Sequence, residues 1–120
     1  MPVTLPASPD AFASADWAEI APYYEQLAEA PLDRDNADEW LSDWSRLDAL
    51  VGEAGTLAMI AYTGDTADAA KEATYLRFSM EVFPRLDEQQ VRLARRLVDL
   101  GYSRPDLDTM LRRFKRDIEI

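Results

Sequence analysis

The chain has 120 residues, a mass of 13.6 kDa and 48% hydrophobic residues, enough for one domain with a real core. It contains no histidine and no cysteine, which removes disulfides, thiolate nucleophiles, the commonest general base and the commonest zinc ligands. The formal charge of −10 is uneven: residues 1–84 hold 16 acids and 4 bases, residues 85–120 hold 7 acids and 9 bases, and such an acidic body repels phosphate backbones and argues against a nucleic-acid partner.

Residues 1–15, with three prolines and several small residues, read as an extended, poorly ordered arm. Residues 16–120 read as one helical domain. A first helix opens on Ser14 or Asp16 as cap, carries Trp17, Ile20, Tyr24 and Leu27 at helical spacing, and stops before Pro31. The turn-like Pro31–Asn36 link supplies side chains suited to capping the next helix. Trp40, Leu41, Trp44, Leu47 and Val51 then form a second inward stripe. Gly52 and Gly55 permit a close helix contact, a bend or a stop, and apolar residues resume at Leu57 and Ile60.

Tyr62-Thr-Gly-Asp-Thr66 is a break, with Asp65 or Thr66 as cap for the next helix. This third helix is expected from about Ala67 to Val82, with Ala69, Ala73, Leu76 and Met80 inward, ended by Phe83-Pro84. Asp87 is the expected cap of a fourth helix carrying Val91, Leu93, Leu97 and Leu100, with Gly101 as its stop. Ser103 opens a fifth, with Leu107, Met110, Leu111, Phe114 and Ile118 on one face. The fold class is therefore all-α: an antiparallel helical bundle or hairpin array of about five helices, with no sheet. The last stripe runs to Ile120 with no closing signal, so the pattern is expected to continue in a longer parent. On that expectation the Leu107 to Ile118 stripe is open to self-association.

Few side-chain constellations carry chemistry. Asp48 with Glu53, or Glu72 with Glu81, are conceivable acid and base pairs, but with 23 acids such pairs arise by chance. The segment from Asp33 is not a calcium loop, because Asp38 stands where glycine is needed and Trp44 where glutamate is needed. A di-metal bundle needs histidine, and the four glycines are too scattered for a phosphate loop. Trp40 and Trp44, one turn apart, read as core packing rather than a peptide shelf. The basic residues Arg92, Arg95, Arg96, Arg112, Arg113, Lys115 and Arg116 read as solvated faces. No apolar run approaches a membrane span of about 20 residues, and Met1–Pro6 lacks the pattern of a secretory signal, so a cytoplasmic protein with no membrane partner is expected.

Three runs carry a family resemblance: Trp17 to Leu27 with Pro22-Tyr-Tyr24, Glu39-Trp-Leu-Ser-Asp-Trp-Ser45 through Leu50 with Glu53, and Ile60-Ala-Tyr62 with Asp65-Thr66. Together with Phe83-Pro84, the leucine-rich segment 93–100 and the ending Phe114 to Ile120, residues 15–120 resemble the amino-terminal region of the oligoendopeptidase F group of M3 metallopeptidases. The resemblance implies a zinc endopeptidase for short peptides, whose mostly helical body encloses a deep cleft. In that family a His-Glu-x-x-His helix and a later glutamate hold zinc, and the helix glutamate activates water. None of these positions exists in this chain, so no catalytic or metal residue carries over and no cofactor is expected in these residues.

What carries over is a helical lobe covering one side of the cleft, with a carboxy-terminal catalytic domain as its partner and short peptides as the parent's substrate. Tyr62, Asp65 and Thr66, at a helix junction, are the candidates for substrate contact, although capping suits Asp65 and Thr66 better. Two other classes remain open: a free-standing acidic helical module that binds a protein, and a small enzyme working with carboxylates alone.

Overall fold

The computed structural model describes residues 4–64 and 68–113. All its regular elements are helical: a one-turn 3-10 helix at Pro9–Phe12, α1 (Trp17–Glu29), α2 (Ala37–Thr63), α3 (Ala69–Arg77), a π turn (Phe78–Val82), α4 (Phe83–Asp99) and α5 (Arg104–Arg113). Because α3, the π turn and α4 follow without a gap, the helical rods among the described residues number four. The rod from 69 to 99 is about 46 Å long at 1.5 Å per residue. The principal extents are 50 × 27 × 20 Å.

The core is built from α1, α2 and α4. Ile20, Tyr24 and Leu27 of α1, Trp40, Leu41, Trp44, Leu47 and Val51 of α2, and Leu93 and Leu97 of α4 are all buried. Their three- and four-residue spacing is what puts each set on one side of its helix. Asp16 caps α1, its carboxylate accepting from the Ala18 N–H at 3.0 Å. At the next junction Asn36 does not cap α2 with its side chain. It ties the link together instead, donating to the Pro31 carbonyl and accepting from the Asp33 N–H, both at 2.9 Å.

Pro31 also shapes the junction between the three core helices. The Leu27 carbonyl would normally accept from the N–H of residue 31, and proline has none. Trp40 Nε1 and an Arg96 guanidinium nitrogen reach it instead, at 2.9 and 2.6 Å. Arg96 lies 5.8 Å over the Trp40 ring, and partial burial lowers its pKa from the usual guanidinium value.

Four expectations are corrected. Residues 8–15 form structure: Ser8 caps the Pro9–Phe12 turn, and Phe12 and Ala15 are buried, Phe12 meeting Tyr23 edge-on at 5.4 Å. One buried aromatic outweighs the loop-forming bias of the prolines around it. Phe83-Pro84 does not end a helix. The Phe83 N–H bonds back to the Phe78 carbonyl, so the wider π turn precedes Pro84, which then occupies the first turn of α4 where its missing N–H is tolerated. Asp87 accordingly lies inside α4 and caps nothing.

Third, α3 and the π turn present the opposite face. Ala69, Ala73, Leu76 and Met80 are exposed, while Phe78 and Val82 are buried and Tyr75 is half-buried. Gly55 of α2 leaves room for the rings of Phe78 and Phe83, and the Phe78 side is the one that packs there. Fourth, Val91 is exposed rather than inward.

The glycine question in α2 resolves as a close contact. The helix runs through both glycines, and a Cβ on Gly55 would lie 2.4 Å from the Phe83 ring, whereas one on Gly52 meets nothing. Gly101 ends α4 as expected: at φ +93° it lets the Gly101 N–H reach the Val98 carbonyl (2.9 Å) and the Tyr102 N–H reach that of Leu97 (3.3 Å). Arg34 Nε caps the same end through the Leu100 carbonyl at 3.3 Å and lays its guanidinium 4.2 Å over the Tyr102 ring. Ser103 and Asp106 exchange bonds in a capping box that opens α5. Leu107 is buried and Met110 packs beside the core. The head of the last stripe is thus covered by the chain itself; the side chain of Leu111, together with Phe114 and Ile118, lies outside the described residues.

Candidate functional site

A recess lies where the second half of α2, the start of α3 and the Pro9–Phe12 turn converge. One wall is Ala54, Leu57, Ala58 and Ala61, at the i, i+3, i+4, i+7 spacing of one helix face. Ala70, Lys71 and Thr74 of α3 form the other wall, Pro9, Asp10 and Ala13 close one end, and Asp68 stands at the rim. The volume is about 450 Å³, within the range of small-ligand sites. The groove exists because alanines face each other where leucines would fill the space, and because buried Phe12 pins the turn beside them.

Its chemistry is that of an apolar slot with a charged rim. Asp68 is the observed cap of α3, accepting from the Lys71 N–H at 2.9 Å. A smaller recess of about 260 Å³ lies on the other side of α2, between Pro6, Ala7, Arg46, Ala49, Leu50 and Glu53. Arg46 is directed along its own helix, 3.6 Å from the largely buried Asp43.

Tyr62 is half-buried and does not line the groove. Its ring stacks on Tyr75 with centroids 5.2 Å apart and planes at 13°, clamping the end of α2 to α3. Asp65 and Thr66 lie outside the described residues. The carboxylate pairs named from the sequence gain no support: Asp48 accepts a hydrogen bond from the Tyr24 hydroxyl, a tie between α1 and α2. The groove itself carried little signal in the sequence, since alanines on a helix read as neutral packing.

A zinc site does not fit the described residues. The sequence has neither histidine nor cysteine, and among the described residues no group of three or more carboxylates converges. No catalytic step is therefore assigned to this chain through zinc.

The described residues form an all-helical unit that carries an apolar groove. A family model, the Peptidase M3 N-terminal domain, matches residues 8–104, and the chain belongs to that family. The match opens at Ser8, the cap of the first turn, so it includes residues that their prolines alone would assign to a loose arm. It closes at Arg104, the first residue of α5. No curated protein and no solved structure matches the chain.

Proposed function

We propose that this chain is the amino-terminal helical lobe of an M3 peptidase of the oligoendopeptidase F type, covering one side of the cleft that admits short peptides. The observation that carries the reading is the family match over residues 8–104. The composition supports a division of labour: a chain with no histidine supplies neither half of a His-Glu-x-x-His site. The zinc and the water-activating glutamate of such an enzyme would belong to a carboxy-terminal catalytic domain, the lobe's partner. The lobe would limit which peptides enter, with the groove between α2 and α3 as a surface open to an apolar side chain. We place such a peptidase in the cytoplasm; no described helix is long and apolar enough to cross a membrane.

Incubation of the 120-residue chain with internally quenched peptides and zinc tests the division of labour. No hydrolysis above buffer is expected; cleavage abolished by a chelator would overturn it. The second reading, a free-standing acidic interaction module, is favoured by one observation, the outward apolar face of α3. The native polypeptide separates the two: a mass several-fold larger with a His-Glu-x-x-His segment supports the lobe, and a native chain of this size supports the module.

A further inference from the structure

The outward face of α3 and the π turn has a pattern of its own. Ala69, Ala73, Leu76 and Met80 recur at four-, three- and four-residue spacing and are all exposed, Leu76 by 42% and Met80 by 72%. Within the described residues no element covers them. Glu72 and Arg77 flank the stripe on opposite sides, both exposed, and neither takes part in the described ion pairs. The stripe ends at Phe83, whose ring turns back over Gly55.

We propose that this face pairs with the same face of a second copy, the two α3 helices lying side by side and parallel. In heptad terms Ala73 of α3 occupies an a position, Ala69 and Leu76 the d positions, Glu72 is g and Arg77 is the following e, while Met80 adds an exposed side chain from the π turn that follows. Parallel pairing about a two-fold axis sets Glu72 of each copy against Arg77 of the other, which makes two equivalent ion pairs from one residue of each sign. An antiparallel pairing about the same stripe forms neither of these ion pairs, because g positions then face g positions and e positions face e positions, so charge favours the parallel arrangement. The two alanines let the helices approach closely at one end, and Leu76 and Met80 supply the apolar area at the other. The net charge of −10 on each copy opposes association, but at physiological salt that repulsion is screened over about 8 Å, and the contact itself is locally neutral. The pairing is independent of the peptidase reading, because it rests on α3 and the π turn alone.

Sedimentation equilibrium of the full chain at physiological ionic strength tests it, with circular dichroism to verify the fold of each variant. The wild type should show a concentration-dependent dimer. Glu72→Arg turns both attractions into repulsions and should weaken the dimer roughly tenfold. Glu72→Arg combined with Arg77→Glu should restore it. Since the chain has no cysteine, Met80→Cys should give a disulfide-linked dimer on oxidation, because parallel helices bring the two copies of residue 80 level while antiparallel ones separate them by about 16 Å. A wild type that stays monomeric up to about 1 mM overturns the proposal. So does a charge reversal without effect, a double swap that fails to rescue, or no covalent dimer from Met80→Cys.

Discussion

Trp40 and Arg96 donate to the same oxygen, the carbonyl of Leu27, one from α2 and the other from α4. Pro31 leaves that carbonyl without its helical donor, and the two side chains share the task of satisfying it. Either alone covers the oxygen, so the two substitutions should couple. Trp40→Phe is expected to cost about 1 kcal/mol, the net worth of one hydrogen bond. With Arg96→Met added, the loss should exceed the sum of the single losses by about 1 kcal/mol, because the carbonyl is then left without either donor. Urea unfolding of the two single variants and the double variant measures this directly.

The two glycines of α2 should respond in opposite directions to alanine. Gly52→Ala gains helix propensity with nothing in the way, and should stabilise by about 0.5–1 kcal/mol. Gly55→Ala places its methyl against the Phe83 ring, which must move and give up its packing on α2 and on Phe78, 5.9 Å away. We expect a net loss of about 1 kcal/mol. In a Phe83→Ala background the obstruction is gone, and Gly55→Ala should become stabilising. Thermal midpoints of these variants decide it.

At the end of α4, Gly101 holds φ +93°, a conformation a Cβ resists. Gly101→Ala should cost about 1–2 kcal/mol. Arg34→Ala should reduce hydrogen-exchange protection in α5 first, since it removes both the bond to the Leu100 carbonyl and the contact with Tyr102 that lead into that helix.

Acid should act through two carboxylates. Arg92, hydrogen-bonded to Glu25 at 2.6 and 3.2 Å, lowers the Glu25 pKa from its ordinary 4.5, and the Ser103 side chain and backbone lower that of Asp106 from 3.8. A depressed pKa means the folded state holds the charged form more strongly. The contribution is therefore complete above the unfolded value and lost as pH falls through the folded one. Both groups are exposed, so the effect is small and salt-sensitive. The thermal midpoint difference between wild type and Arg92→Gln should be constant above pH 4.5 and shrink below it; a difference that grows on acidification would contradict the assignment.

Much of the core was legible because α1 and α2 obey a single period: Trp40, Leu41, Trp44, Leu47 and Val51 are all buried, as their spacing requires. The helical fold and the Gly101 stop were legible for the same local reasons. The rotation of α3 was not, because Ala69, Ala73, Leu76 and Met80 make as good a stripe as Phe78 and Val82. Only the shape of α2, with Gly55 open to two phenylalanines, decides between them. Pro84 misled because a π turn one step earlier removes its usual consequence. Tyr62 drew notice as a polar group at a junction, yet its ring serves a stacked clamp with Tyr75. The groove depends on alanines of two helices meeting across space, which no local pattern reports.

The claim that this chain is a cleft-covering lobe is tested most directly by recombination. An M3 peptidase catalytic domain prepared without its amino-terminal lobe is titrated with the 120-residue chain, and hydrolysis of a series of quenched peptides of increasing length is followed. The account predicts saturable binding together with a changed preference for peptide length, while the chain alone stays inactive. Absence of binding, or binding that leaves the length preference untouched, would contradict it.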